Sequence, residues 1–64
     1  MSSKRVDWDG LRDELTFYGA NARDIINAIR IGGLVDSPKE RAYLYNHVPD
    51  QIRSVLRKHI GREA

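Results

Sequence analysis

Residues 20–34 read ANARDIINAIRIGGL and decide the fold. Four apolar residues in this run follow the i, i+3, i+4, i+7 spacing that is typical of the buried face of an α-helix. They are Ala22, Ile25, Ile26 and Ile29. Asn21 stands before the run as a capping residue and glycines follow it, so we predict a helix over about 21–32.

Two further strips run along the same helix. Ala28 and Ile31 form a second, smaller apolar strip, which favours coverage from two sides and predicts that this helix is the most buried. The remaining sector carries Arg23, Asn27 and Arg30 at spacings of four and three, a polar ridge that must face water or a partner. We therefore expect an all-α fold, a small single domain of four short helices packed around this central second helix.

The other three helices are expected over about 8–18, 37–48 and 50–60. The clearest boundary is Ser37-Pro38-Lys39-Glu40, a capping hydroxyl with proline at the first helical position and a carboxylate three residues after the cap. The apolar periodicity of all four helices defines one core. The predicted core residues are Trp8, Leu11, Leu15, Ile25, Ile26, Ile29, Leu44, Val48, Ile52, Val55, Leu56 and Ile60.

Several aromatic and aliphatic residues lie off these stripes. We expect Phe17 to pack under the turn to the second helix; the alternative is an exposed aromatic side chain with a functional role. We expect Leu34 and Val35 to enter the core from the loop after that helix. Tyr43 and Tyr45 project about 200° apart on a helix, so one of the two must be on the surface.

Length and composition describe one small domain without a membrane segment. Sixty-four residues leave no room for a second domain, and we expect one helical domain over 1–64 with flexible ends at 1–6 and 62–64. The chain has no cysteine, no signal-peptide pattern and no apolar run of about 18 residues, so we expect a cytoplasmic protein without a membrane partner.

Charge is unevenly distributed along the chain. The formal net charge is +2, but residues 1–5 carry +2, residues 6–50 carry −3 and residues 51–64 carry +3. Basic residues near a helix C-terminus also suit the helix dipole, so this excess has a structural explanation beside a functional one.

Catalysis has little support in this sequence. Neither His47 nor His59 belongs to a metal-ligand or nucleophile pattern, and a cysteine nucleophile is absent. We expect a non-enzymatic protein with no catalytic residues, no metal site and no cofactor.

Binding to DNA is the first functional hypothesis. The second and third helices can form a helix-turn-helix with a lengthened turn, in which Ala28, Ile31 and Gly32 suit the small, apolar and glycine positions. The expected base or phosphate contacts on the third helix are Lys39, Arg41, Tyr43 and Asn46, and the expected backbone contacts on the fourth are Arg53, Arg57 and Lys58. Under this hypothesis, the protein is a small DNA-binding regulator of transcription.

One local resemblance points in the same direction. Residues 19–30 resemble the turn and second helix of ribbon-helix-helix repressors, with a glycine, a capping residue and an Ile-x-x-Ala-Ile-Arg run. The resemblance implies a DNA-reading strand ahead of a longer first helix, and only residues 1–6 precede the first helix here.

The alternative hypothesis is a helical protein–protein interaction module or adaptor. Its acidic first helix and basic last helix would face other proteins, or their counterparts in a homo-oligomer. Surplus aromatic residues and the Ala28/Ile31 strip would be its anchors. Basic residues clustered on one face of the fold favour DNA binding, whereas a contiguous apolar patch favours the adaptor.

Overall fold

The computed structural model describes residues 6–63, and within that range it contains helices and no strand. The helices are α1 Trp8–Phe17, α2 Ala22–Ile31, α3 Pro38–Tyr45 and α4 Asp50–His59, with a 3-10 turn at Leu34–Asp36 between α2 and α3. The prediction of an all-α domain of four short helices is confirmed. Each helix is one to four residues shorter than the sequence pattern predicts, and the largest difference is at α3, which ends at Tyr45 with Asn46 as its C-cap.

Local capping chemistry sets the helix boundaries. The Asn21 side chain accepts a hydrogen bond from the Asp24 amide at 3.3 Å, and the Ser37 hydroxyl accepts one from the Glu40 amide at 3.3 Å. Gly19 has φ +80, the left-handed conformation that ends α1 and that other residues rarely adopt. Both predicted caps and the glycine stop are therefore confirmed.

Helix α1 lies between α2 and α4, and its Leu11 and Leu15 are fully buried. The prediction that α2 is the most buried helix is wrong: α2 buries only Ala22 and Ile29. The reason is that α1 covers one face of α2, while Ala28 remains exposed on the other. Helix α4 contributes most to the core, with Ile52, Val55 and Leu56 inside it and Ile60 directly after it.

The loop residues and the aromatic residues divide between core and surface. Leu34 is buried and Val35 is half-buried against the core, as predicted. Tyr45 is buried and Tyr43 is 70% exposed, which confirms that only one of the two can face inward. Phe17 is 81% exposed, so its predicted place under the turn is wrong. Helix α1 ends at this residue, and the Phe17 ring lies edge to face against the neighbouring Tyr18 ring, with 5.2 Å between the ring centroids.

Residues 60–63, which we call the C-terminal strap, are held against α3 and α4. The Tyr45 hydroxyl donates to the Gly61 carbonyl at 2.6 Å, and the Arg41 Nε donates to the Arg62 carbonyl at 2.9 Å. Burial raises the pKa of Tyr45 to about 12. Residues 62 and 63, expected at a flexible end, thus have defined contacts.

The N-terminal expectations fall mostly outside the described residues. Residues 1–5 and residue 64, which we expect to be flexible, lie outside the described range. Val6 is half-buried and packs against the core. The strand implied by the ribbon-helix-helix resemblance falls on residues 1–6, of which only Val6 is described, and Val6 is not in a strand.

Candidate functional site

Arg41, expected to contact bases or phosphates, points into the protein. It is the one buried charged residue among those described. Its Nη1 donates to the carbonyls of Leu34 and Val35 at 2.9 and 2.8 Å, while its Nε holds the strap at Arg62. The guanidinium therefore satisfies carbonyls of the 3-10 turn and the strap, and it cannot at the same time reach a nucleic acid.

Arg53 also bonds to the backbone of its own chain. Its Nε donates to the Tyr45 carbonyl at 3.0 Å and its Nη2 to the Val48 carbonyl at 3.3 Å, which satisfies carbonyls at and after the end of α3. Its Nη1 pairs with Asp50 at 2.9 Å. A C-terminal helix cap is the local role that these contacts define.

The last two basic residues expected to contact DNA each pair with a carboxylate. Arg57 donates two hydrogen bonds to Glu63, at 3.0 and 2.6 Å, and these hold the pKa of Glu63 at about 2. Lys58 lies 3.1 Å from Glu14, which also pairs with the ring of His59. The hydrogen bonds from His59 and then Lys58 lower the pKa of Glu14. The basic excess of the last helix is thus largely neutralised within the fold.

The remaining predicted residues lie on the surface of α3 or just after it. Lys39, Tyr43 and Asn46 are all exposed. The Tyr43 ring lies 4.6 Å from the His47 ring, centroid to centroid, and the Nδ1 of His47 is 2.8 Å from the Tyr43 carbonyl oxygen. The turn before α3 spans residues 32–37, longer than the usual three or four residues of a helix-turn-helix.

The formal net charge of the described residues is zero. The chain has eleven Lys and Arg residues, of which Lys4 and Arg5 lie outside the described range, and the other nine are matched by nine Asp and Glu residues. A folded region of this composition attracts a polyanion only where its cations are locally concentrated.

Such a concentration occurs in a groove between α1 and α2. The groove has a volume of about 380 Å³. Its lining consists of Trp8, Asp9, Arg12, Arg23, Ile26, Asn27 and Arg30, three cations against one carboxylate. The polar ridge predicted on α2 thus forms one wall of the groove, and the sole tryptophan of the chain belongs to the other helix.

The arginines of this groove are only weakly engaged. Arg12 pairs with Asp9 at 3.7 Å and with Asp13 at 4.0 Å, both on exposed side chains. Arg23 and Arg30 form no ion pair with any residue from 6 to 63. The guanidinium carbon of Arg30 lies 5.5 Å from the centre of the Trp8 ring, a cation–π contact that positions this arginine at the groove.

Large apolar side chains are exposed at the ends of the first two helices. Phe17 ends α1 at 81% exposure, and Ile31 ends α2 at 86%. The predicted Ala28/Ile31 strip is therefore uncovered and does not pack on a second neighbour. A smaller groove of about 290 Å³ lies between α1 and α4, and its two charged residues, Glu14 and Lys58, already pair with each other.

No metal site or membrane-spanning helix is found in the described part of the chain. Within residues 6–63, no group of three or more His, Cys, Asp or Glu side chains is arranged to hold a metal ion. The described helices are also too short and too polar for any of them to cross a membrane.

No protein-family model matches the sequence, and no curated protein or solved structure matches it either.

Proposed function

We propose that this protein is a non-enzymatic interaction module that binds an acidic, partly apolar segment of another protein in the α1–α2 groove. The observation that carries the proposal is the pair Arg23 and Arg30, which flank an open groove without an ion-pair partner in the range 6–63. Arginine and tryptophan are the side chains that most often dominate protein–protein binding energy. The proposal puts this activity in the cytoplasm, as the sequence leads us to expect.

The groove suits a short acidic segment better than a DNA duplex. Asp9 lines the groove and Asp13 lies beside Arg12, so negative charge stands within the groove and next to it. A duplex carries one charge for about every 1.7 Å and would bring many phosphates within the Debye length, about 8 Å, of these carboxylates. A segment with one or two carboxylates contacts the arginines and avoids most of that repulsion. Its apolar side chains can bury against Trp8 and Ile26.

The second candidate is the DNA-binding regulatory protein of helix-turn-helix-like type that the sequence suggests. The observation that favours it is the common exposure of Lys39, Tyr43 and Asn46 at α3. In this form the proposed interface excludes Arg41, which is buried and donates from its Nε and Nη1 to carbonyls of its own chain.

Fluorescence anisotropy of labelled ligands can test both candidates. The ligands are an alanine-based peptide with glutamate and leucine residues, its glutamine analogue, and a mixed-sequence DNA duplex at low and moderate salt. The proteins are the wild type, the groove variant Arg23→Glu/Arg30→Glu and the control variant Lys39→Glu/Arg62→Glu. Both variants change the net charge by the same amount at exposed positions, so a difference between them locates the binding surface.

We expect the glutamate peptide to bind the wild type and the control, and to bind the groove variant at least about tenfold more weakly. The glutamine analogue should bind weakly to all three. Equal peptide binding by both variants, or no peptide binding at all, would overturn the proposal. Duplex binding that the control variant loses and the groove variant keeps would replace it with the DNA-binding candidate.

A further inference from the structure

The arginines of the groove have a fixed spacing along α2. Arg23 and Arg30 are seven residues apart, which on an α-helix returns to nearly the same face after about 10.5 Å of rise. Asn27 and Ile26 lie between them and also line the groove. The groove therefore offers two positive sites about two helical turns apart, with the apolar Ile26 and the polar Asn27 between them.

The side chains of Arg30 and Arg23 differ in how firmly they are held in place. Arg30 is held over the Trp8 ring at 5.5 Å, whereas Arg23 has no ring or carboxylate partner among the described residues. A ligand carboxylate at the Arg30 end meets a cation that is already positioned. A carboxylate at the Arg23 end must order that side chain as it binds, which costs conformational entropy.

The spacing of the arginines distinguishes between ligand conformations. An extended strand repeats the same face every two residues, so its side chains on one face lie about 6.7 or 13 Å apart. A helix places residues i and i+7 on one face at about 10.5 Å, with residues i+3 and i+4 between them. The backbone rise of about 10.5 Å between Arg23 and Arg30 is closer to this helical spacing than to either strand spacing.

We propose that the groove selects a helical partner segment with two acidic residues seven positions apart and apolar residues between them. This inference rests on the proposed function. The acidic residues pair with Arg23 and Arg30. The apolar residues at i+3 and i+4 bury against Ile26 and the Trp8 ring. This arrangement belongs to the helix-in-groove mode of peptide recognition, in which one face of an amphipathic helix supplies all the anchors.

The test compares two labelled peptides of identical composition on the full chain. Both are alanine-based helices of equal helicity by circular dichroism, with two glutamates and two leucines. In one peptide the glutamates are seven residues apart, and in the other they are five apart and project about 140° from each other. Anisotropy gives both dissociation constants, and a change in Trp8 emission reports binding at the groove.

We expect the seven-spaced peptide to bind about fivefold more tightly, since the five-spaced peptide can engage only one arginine at a time. The preference should vanish in Arg23→Gln, while Lys39→Gln should retain it. Equal affinity of the two peptides for the wild type would overturn the helical spacing and leave the proposed function intact. Failure of both peptides to bind would overturn the proposed function itself.

Discussion

On the α1–α2 side of the domain, Arg23 and Arg30 face an open groove, whereas on the α3–α4 side Arg41 and Arg53 donate to carbonyls of their own chain. The sequence suggests the reverse, because the basic excess lies in residues 51–64, whereas residues 6–50, which include α2, carry a net charge of −3. A count of charges along the chain therefore does not show which charges a partner can reach. What decides availability is whether the fold brings a carboxylate or a carbonyl to the cation.

The largest effect is expected from the helix that both sides share. Leu15 of α1 is fully buried, and α1 packs on both α2 and α4. Leu15→Ala should cost about 2–5 kcal/mol of unfolding free energy, because it removes methyl groups and leaves a cavity. Thermal unfolding should be followed by circular dichroism for all helices and by Trp8 emission for the groove side alone.

The control for this prediction is Ile31→Ala. Its side chain is 86% exposed, so the change should stay within about 0.5 kcal/mol. If the two probes gave separate transitions in Leu15→Ala, the sides would be independent folding units, and the role of α1 as their shared support would be wrong.

An intermediate effect is expected on the α3–α4 side. Arg41→Met keeps the aliphatic stem but removes the donors to Leu34, Val35 and Arg62. The Val35 and Arg62 carbonyls then lose their arginine donor, and the Leu34 carbonyl keeps only the long bond from the Ser37 amide at 3.4 Å, so we expect a loss of about 1–3 kcal/mol by urea denaturation. Lys39→Met on the same helix is the matched control and should change stability by less than about 0.5 kcal/mol. If the two variants were equally stable, the internal role of Arg41 would be refuted.

The smallest effect is a pH dependence of the C-terminal strap. The hydrogen bonds from Arg57 lower the pKa of Glu63 from 4.5 to about 2, so the folded state favours the ionised carboxylate. This contribution to stability is present above the unfolded pKa and is lost as the pH falls through the folded value. The melting temperature of the wild type should therefore fall between about pH 5 and pH 2.

The matched pair of variants for this titration is Glu63→Gln and Glu40→Gln. Glu63→Gln should make the melting temperature less dependent on pH over that range, because no carboxylate remains to be protonated at the strap. Glu40 is exposed and forms no ion pair with residues 6–63, so its substitution should leave the wild-type slope unchanged. A wild-type slope in Glu63→Gln would contradict the pairing with Arg57.

Local chemistry could be predicted from the sequence, and long-range pairing could not. The caps at Asn21 and Ser37 and the stop at Gly19 depend on residues within three positions, so short motifs identify them. The Lys58–Glu14 pair joins residues 44 apart, and no helical spacing relates them. The sequence also predicts a larger buried face on α2 than the structure has, because periodicity shows which residues share a face and not whether a neighbour covers that face.

One wall of the candidate groove could be predicted from the sequence, and the other could not. The ridge of Arg23, Asn27 and Arg30 follows from helical spacing alone, and the structure places all three residues along one groove. The opposite wall depends on how α1 packs, since Trp8 lies 22 positions before Arg30 in the chain. The sequence could not decide between a packed and an exposed Phe17, because the spacing of an aromatic residue near a turn does not show what covers it.

Ionisation of the buried Tyr45 hydroxyl can be followed by absorbance in alkaline solution, and it reports whether the C-terminal strap is still in place. Because the pKa of Tyr45 rises to about 12 on folding, its hydroxyl can keep donating to Gly61 in mild base. Its stabilising contribution is present below the ordinary value of 10 and is lost as the pH rises through the folded value. In an absorbance titration, the phenolate signal of Tyr45 should appear near pH 12, together with release of residues 60–63. Replacing Tyr45 with phenylalanine should remove that step from the curve.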